Sequence, residues 1–339
     1  MTPTPSCAPG LLEAQALSKR FKLRRTRPFE AARAVHAISG VSLRVAAGTT
    51  LGIVGESGCG KSTLARLLMN LIVPDEGRIL IDGEVLRQDG ARQKAYRRTM
   101  QMVFQDSYAS LNPRLMVEES IMFGPRMHGV PRREARERAH HLLHKVGLDP
   151  VRFAGRYPHE LSGGQRQRVN VARALALQPR IVILDEAVSA LDKSVQAQVL
   201  NLLLDLKNEF GLTYLFISHD LNVVDYISDR VMVMYLGKVV EEGPVERLYA
   251  AARHPYTRAL LASMPSNDPD HRTAAAPIQG EMPSPIDPPS GCRFRTRCPF
   301  AEDVCTQREP NLVVHQDHAV ACHMTQPDSG HSRAGEPIP

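Results

Sequence analysis

The amino-acid sequence predicts an α/β protein with a mainly parallel sheet, because short apolar runs alternate along the chain with amphipathic stretches of helical period. Six runs have the length and apolar content of buried strands: 50–54, 79–81, 100–104, 181–184, 213–217 and 231–235. Three amphipathic stretches between them predict helices: 62–71, 165–177 and 194–210. Helices packed on a parallel sheet bury the apolar faces of such an alternation.

Composition narrows the class of protein. A chain of 339 residues corresponds to roughly two domains. Its net charge of +6 and hydrophobic fraction of 43% are those of a globular protein, so we expect no nucleic-acid partner. No apolar run approaches the roughly 20 residues of a membrane helix. Residues 1–5 lack the features of a secretory signal, which predicts a reducing compartment.

Proline content predicts a domain boundary near Pro265. The last 74 residues hold 11 of the 25 prolines, which oppose continuous helix and interior strand. We therefore expect a main domain at 1–265 and a C-terminal extension at 266–339. Within the main domain, residues from about 107 to 178 are helix-rich and strand-poor, which predicts a helical insertion.

A glycine-rich loop directly follows the predicted strand at 50–54 and matches G-x-x-x-x-G-K-[ST]. Its residues are Gly55, Glu56, Ser57, Gly58, Cys59, Gly60, Lys61, Ser62 and Thr63. Glycines allow successive N–H groups to surround phosphate oxygens at a helix start. Lys61 would contact the β- and γ-phosphates, and the Ser62 hydroxyl would bind Mg²⁺. For the motif alone, an ordinary glycine-rich turn is the alternative. We interpret Cys59 as a small packing residue and not as a redox switch.

Two carboxylates, Asp185 and Glu186, follow the predicted strand at 181–184. They are expected at the carboxyl edge of a parallel sheet, where ligands of such sheets bind. Asp185 would complete the Mg²⁺ shell, and Glu186 could accept a proton from an attacking water. Taken alone, they could also be a surface acidic pair at the end of a strand.

A second anion-binding helix start is predicted at 161–165, Leu-Ser-Gly-Gly-Gln. One nucleotide cannot use both helix starts of one chain. Here the sequence resembles the ABC transporter ATPases, in which ATP lies between the phosphate loop of one subunit and the LSGGQ motif of the other. The resemblance runs from about residue 12 to 265. It implies a RecA-like P-loop core with an antiparallel β subdomain and a helical insertion, and nucleotide contacts from Ser162, Gly163, Gly164 and Gln165.

Further roles are implied by this resemblance, residue by residue. Gln105 matches the glutamine loop and would sense Mg²⁺ and the attacking water. Asp192 matches the D-loop and would reach across a dimer. His219 matches the switch histidine and would hold the γ-phosphate near Glu186. Phe21, placed ahead of the first strand, would stack on adenine, with a core aromatic as the alternative.

Two departures from the family pattern are Ala187 and Ser107, which stand where proline is frequent. Neither removes a reacting group. We therefore expect an active, ATP-hydrolysing enzyme that uses ATP and Mg²⁺.

Four of the six cysteines lie close together near the end of the chain: Cys292, Cys298, Cys305 and Cys322. The intervals of five, six and sixteen residues match neither common zinc pairs nor the compact ferredoxin run. The spacing predicts a four-thiolate site that suits Zn²⁺ and an iron–sulfur cluster equally. Four unrelated buried cysteines are the alternative. We interpret His315, His318 and His323 as surface residues, with metal ligation as the alternative.

Several short segments around these cysteines look like the C-terminal extension of the dipeptide and oligopeptide importer ATPases: 253–260, 283–285, 288–289, 291–292, 297–299 and 321–322. The resemblance implies a four-iron four-sulfur cluster held by the four cysteines, with Zn²⁺ as the alternative. It also implies a peptide-importer motor at the cytoplasmic face of the inner membrane. Partners would be two transmembrane permease subunits, a second ATPase subunit, identical or different, and an extracytoplasmic substrate-binding protein.

Two alternatives to peptide import remain open at this stage. The same motor could serve nickel or glutathione. A soluble, non-transport ABC ATPase acting on ribosomes or DNA is disfavoured, because the chain has one cassette and Leu161 follows Lys61 by only 100 positions.

Overall fold

The structure is a computed structural model of the chain, and it describes residues 10–23, 33–86, 90–264 and 280–335. Within these ranges the chain forms two compact units. The first contains residues up to 12, 45–50 and 80–218, and the second contains 13–44, 51–79 and the residues from 219 onward. The predicted boundary near Pro265 falls outside the described residues, so it stays a prediction.

The strands are β1 (Leu12–Lys22), β2 (Ala34–Val45), β3 (Thr50–Val54), β4 (Glu76–Ile81), β5 (Glu84–Val85), β6 (Met100–Val103), β7 (Ile181–Asp185), β8 (Thr213–Ile217), β9 (Arg230–Tyr235), β10 (Lys238–Pro244), β11 (Val313–His315) and β12 (His318–Val320). The α-helices are α1 (Lys61–Leu68), α2 (Gly90–Thr99), α3 (Val117–Met127), α4 (Arg132–Lys145), α5 (Pro150–Phe153), α6 (Gly163–Leu175), α7 (Lys193–Phe210), α8 (Leu221–Ile227), α9 (Val245–Ala250), α10 (Pro255–Ala262) and α11 (Asp303–Gln307). Two 3₁₀ turns lie at Pro158–Glu160 and His323–Thr325.

In the first unit, β7 lies between β6 and β8 and is parallel to both. Every residue of β7 and β8 is buried, which explains their continuous apolar sequences. Helices α3, α4 and α6 pack on one another in this unit. The parallel strands and the helix-rich stretch predicted from the sequence are therefore confirmed here.

In the second unit, β3 is parallel to β9, which pairs antiparallel with β10. Strand β12 lies between β10 and β11 and is antiparallel to both. A separate sheet places β1 between β2 and β4. The prolines of the extension do not prevent β12 from being an interior strand, because residues 311–326 contain no proline.

Strand β1 corrects one sequence-based expectation. Phe21 lies inside β1, so it does not precede the first strand. The sequence pattern missed β1 because its second half carries the charged residues Lys19, Arg20 and Lys22, and residues 20–22 are exposed.

The longest helix of the described residues is α7, with 18 residues and a buried face that includes Val199, Leu203 and Leu206. Among the described helices, none combines the length and the apolar composition required to span a lipid bilayer.

Candidate functional site

The glycine-rich loop joins β3 to α1 and adopts a backbone that requires glycine at two positions. Gly55 and Gly60 have φ angles of 147° and 111°. A Cβ at Gly60 would lie 2.5 Å from the carbonyl oxygen of Ala37. A Cβ at Gly55 would overlap with the carbonyl oxygen of Met234. The loop therefore has the close-packed, glycine-dependent conformation that a phosphate cradle needs.

Lys61 begins α1, and its side chain is buried along the loop. Its Nζ donates hydrogen bonds to the carbonyl oxygens of Gly55, at 2.7 Å, and Glu56, at 3.0 Å. The loop thus holds this ammonium group within its own curve. Cys59 is fully buried beside it, and burial raises the pKa of its thiol. That position supports the interpretation of Cys59 as a packing residue.

The carboxyl end of β7 carries the two predicted acidic residues. Asp185 is buried at the last position of the strand. Glu186 has a φ of 48°, unusual for a residue with a side chain, and its N–H donates to the carbonyl oxygen of Ile217 at 2.9 Å. Strained backbone of this kind is concentrated at functional sites.

Gln105 contacts Glu186 from the segment that follows β6. Its Nε2 donates to Glu186 Oε2 over 2.8 Å. Two residues later, the carbonyl oxygen of Ser107 accepts a hydrogen bond from Asn170 Nδ2 on α6, at 3.0 Å. Gln105 therefore lies on a segment joined both to Glu186 and to the helix of the LSGGQ motif.

The LSGGQ motif forms the N-terminus of α6 with a reciprocal cap. Ser162 Oγ accepts from the N–H of Gln165 at 3.3 Å, and Gln165 Oε1 accepts from the N–H of Ser162 at 3.0 Å. A Cβ at Gly164 would lie 2.6 Å from Val195 Cγ1 on α7. The motif thus combines an anion-binding helix start with a close approach to α7.

Comparison with known proteins assigns the family. Residues 38–189 match the ABC transporter family, and residues 240–305 match the oligopeptide/dipeptide transporter C-terminal region. The dipeptide transport ATP-binding protein DppF of Escherichia coli is 46% identical over 95% of this chain and 97% of its own length. This chain belongs to the ABC transporter ATP-binding proteins.

A second relative and a solved structure agree with this family assignment. A Sinorhizobium fredii protein, named as a probable peptide ABC transporter ATP-binding protein, is 52% identical over 94% of this chain and 91% of its own. A solved dimeric ATP-binding cassette in a post-hydrolysis state with ADP and Pi superposes with a TM-score of 0.61. It is 31% identical and covers 69% of this chain and 98% of its own. The RecA-like P-loop fold of an ABC ATPase is therefore shown.

The remaining predicted nucleotide residues lie at the ends of regular elements of the ABC ATPase. Asp192 is the exposed residue immediately before α7, and the exposed His219 lies two residues after the end of β8. Phe21 is 40% exposed, and Lys19 Nζ lies 5.8 Å from the centre of its ring. Gln105 and Glu186 belong to the first unit, whereas Lys61 and His219 belong to the second.

The four C-terminal cysteines of the ABC ATPase influence one another electrostatically. Burial, with additional effects of the neighbouring thiolates, raises the pKa of Cys292 and Cys298 to about 11 and that of Cys322 to about 12. Cys305 contributes to all three of these effects. Across the described ranges, no group of three or more His, Cys, Asp or Glu side chains is arranged as a metal site.

Backbone N–H groups of the ABC ATPase also point at three of these thiols. Cys292 receives hydrogen bonds from the N–H groups of Phe294 and Arg295. The N–H of Phe300 donates to Cys298, and that of Met324 donates to Cys322. These donors would stabilise thiolates over thiols.

The interpretation of the extension's histidines as surface residues is wrong for two of them. His318 Nε2 lies 2.7 Å from Oε1 of the fully buried Glu241, and His323 Nε2 lies 2.9 Å from the carbonyl oxygen of Arg308. Both side chains are buried: His318 lies on β12, which pairs with β10, and His323 begins the 3₁₀ turn that follows β12. His315 remains exposed.

Sequence reasoning missed Arg297, whose side chain pairs with Glu56 of the phosphate loop. Arg297 Nη1 lies 2.6 Å from Glu56 Oε2, and its Nη2 lies 3.0 Å from Glu56 Oε1. The two residues are 241 positions apart in the sequence, so no local pattern identifies the pair.

Proposed function

We propose that this ABC ATPase is the ATP-hydrolysing subunit of an importer for dipeptides or oligopeptides. The observation that carries the proposal is the presence in one chain of a complete phosphate loop and an oligopeptide/dipeptide-type C-terminal region. Relatives named for dipeptide and peptide transport support the choice of substrate class. In this proposal the subunit works at the cytoplasmic face of the inner membrane.

Partners follow from the same proposal. ATP would bind between the phosphate loop of one subunit and the Ser162–Gln165 motif of a second ATPase subunit, with Asp192 reaching across. The dimeric state of a related solved cassette supports this arrangement. Two transmembrane permease subunits would carry the substrate, and an extracytoplasmic binding protein would deliver it.

The residues divide the chemistry of hydrolysis between them. Lys61 and the loop N–H groups would bind the phosphates, and Ser62, Asp185 and Gln105 would hold Mg²⁺. Glu186 would accept the proton of the attacking water, with Gln105 directing its carboxylate.

Two exposed residues would complete the nucleotide contacts. His219 would hold the γ-phosphate, and Phe21 would stack on adenine. Catalysis of phosphoryl transfer in this way depends on positioning and charge stabilisation.

Affinity purification of the tagged chain from its native membranes tests the transport role. We expect two permease subunits and a second ATPase subunit to co-purify, and deletion of the chromosomal copy to abolish growth on dipeptides as the nitrogen source. Recovery of ribosomes in place of permeases would support the soluble alternative. Growth that stays normal on peptides but fails on limiting nickel, or on glutathione as the sulfur source, would change the substrate class.

We further propose that Cys292, Cys298, Cys305 and Cys322 hold a four-iron four-sulfur cluster, with Zn²⁺ as the alternative. The support for this proposal is the chemistry of the donors, because thiolates are the ligands of both groups and three of the four thiols accept backbone N–H hydrogen bonds. In the conformation of the described residues the side chains are not gathered around one centre, so the proposal requires them to close on the metal. When bound, the cluster would supply a positive centre that favours the thiolate forms.

Metal analysis of anaerobically purified protein separates these alternatives. The cluster predicts about four iron atoms and four labile sulfides per chain, whereas one zinc atom without sulfide would support Zn²⁺. Replacement of Cys298 by Ser should lower the bound metal, and replacement of the phosphate-loop Cys59 by Ser is the matched control that should leave it unchanged. Wild-type protein without metal would contradict both forms of the proposal.

A further inference from the structure

Arg297 of the C-terminal extension forms a two-point ion pair with Glu56 of the phosphate loop. The two N–O distances are 2.6 and 3.0 Å. The side chain of Arg297 is 6% exposed and that of Glu56 is 27% exposed. Bidentate pairing of a guanidinium with a carboxylate is among the strongest side-chain contacts. The hydrogen bond to Glu56 raises the pKa of Arg297, which therefore stays charged.

Glu56 is also joined to the groups that form the phosphate cradle. Its carbonyl oxygen accepts from Lys61 Nζ at 3.0 Å, and its N–H donates to Tyr256 Oη at 2.9 Å. A carboxylate in this loop lies close to where phosphates bind, and like charges repel most strongly where water is excluded. Without a cation beside it, Glu56 would therefore oppose the binding of ATP.

An aromatic cluster holds Arg297 in place. Its guanidinium lies 5.9 Å from the centre of the Tyr235 ring, a cation–π contact. Tyr235 packs against Tyr256 and Phe294, with ring centres 4.7 and 5.3 Å apart. The segment that carries Phe294 and Arg297 is thus fastened to the same residues that support the phosphate loop.

We propose that Arg297 is a positioning residue of the nucleotide site, which neutralises Glu56 and holds the phosphate loop in its ATP-binding conformation. The inference rests on the phosphate-binding role proposed for that loop. It goes further by giving the C-terminal extension a direct effect on nucleotide affinity. Arg297 does this through Glu56 and needs no contact with ATP.

Equilibrium binding of MgATP to the full-length chain tests whether the Arg297–Glu56 ion pair supports nucleotide affinity. We expect R297A to weaken the affinity about tenfold, within the range of typical coupling between sites. KM for ATP should rise with it while kcat changes less. R297K, which keeps the charge but loses the two-point geometry, should show a smaller loss. The double variant E56Q/R297A should recover most of the affinity, because it no longer leaves a carboxylate unpaired.

The matched control is R295A. Arg295 lies in the same segment, but its side chain hydrogen-bonds to Ser290 and not to the phosphate loop. The R295A protein should therefore bind MgATP with the affinity of the wild type. Equal losses in R297A and E56Q/R297A would overturn the inference, as would an R297A protein that binds like R295A. Thermal unfolding identifies any variant that fails to fold, and R297K then provides the comparison.

If K61A leaves ATP binding unchanged, the proposed nucleotide site itself fails. If only K61A weakens binding, the site stands and the role of Arg297 fails.

Discussion

The side-chain amide of Gln105 donates a hydrogen bond to the carboxylate of Glu186 over 2.8 Å. The two residues are 81 positions apart and follow the neighbouring parallel strands β6 and β7. The residue proposed to sense the nucleotide is therefore in contact with the proposed base. The bond gives a structural reason why substitutions at either position should affect the same step.

Replacing Glu186 by Gln should lower kcat for ATP hydrolysis by about 10² to 10⁴, the usual contribution of a positioned general base. Affinity for ATP should be retained because the phosphate contacts are unchanged. Steady-state hydrolysis and equilibrium binding, measured together, check this. Gln substitution of the partly exposed Glu209, which pairs with Lys145, is the control and should have no effect. Turnover near the wild-type rate in E186Q would remove Glu186 from the reaction.

Replacing Gln105 by Ala should lower kcat by about 10- to 150-fold, since a hydrogen bond to a charged group contributes about 1.5 to 3 kcal/mol. If Gln105 acts through Glu186, the same change in an E186Q background should lower the rate much less. Single-turnover hydrolysis in the four proteins of this cycle measures the coupling. Strictly additive losses would show that the 2.8 Å contact has no role in hydrolysis.

Replacing Lys61 by Ala should weaken ATP binding, because the loop loses the ammonium group that it holds against Gly55 and Glu56. A loss of 10- to 100-fold corresponds to about 1.4 to 2.8 kcal/mol. Equilibrium binding of a fluorescent ATP analogue gives the affinity. The surface variant K145A should bind as the wild type does, and unchanged affinity in K61A would contradict the role of the loop.

Replacing Gly164 by Ala should destabilise the protein by about 1 to 3 kcal/mol, the usual effect of overpacking. The added methyl group would lie 2.6 Å from Val195 Cγ1. Chemical denaturation measures the loss, and the second change Val195→Ala should recover most of it by removing the clashing methyl. The matched variant is G163A, whose Cβ would make an ordinary contact with Leu191 at 3.7 Å. Equal destabilisation of G163A and G164A would argue against this packing reason.

Lowering the pH should destabilise the protein through His254. Burial lowers the pKa of this side chain to about 4, although Glu241 acts in the opposite direction, and its Nδ1 accepts a hydrogen bond from the N–H of Tyr256. The unfolded state, with a pKa near 6.5, binds the proton more readily, so stability falls as the pH drops from about 6.5 to 4. The full loss is about 3 kcal/mol, since each pKa unit is 1.36 kcal/mol.

Denaturation across this pH range checks the role of His254. The variant H254N keeps a side-chain acceptor at the start of α10 and should lose this part of the pH dependence. A pH profile of H254N identical to that of the wild type would assign the acid sensitivity to other groups.

Local patterns were sufficient for much of the fold. The parallel strands β3, β7 and β8 are buried and apolar throughout, so periodicity and length identified them. Strands β1 and β2 escaped prediction because they mix charged and apolar residues and are only partly buried. The loop at 55–63 and the LSGGQ motif were recognised because a phosphate-binding turn and a capped helix start are each encoded within a few residues.

The extension shows the limit of local reasoning. Its cysteines were visible from the sequence, but nothing in their spacing indicated that Arg297, next to Cys298, would pair with Glu56. Nor could spacing show that His318 would be buried against Glu241.

The sequence alone therefore determined the fold class, the nucleotide motifs and the resemblance to ABC transporter ATPases, because each depends on neighbours in the chain. Only the tertiary structure decided the pairs Gln105–Glu186 and Arg297–Glu56. Those contacts join residues far apart in the sequence, and their partners are selected by strand order and burial, which no short stretch of sequence contains.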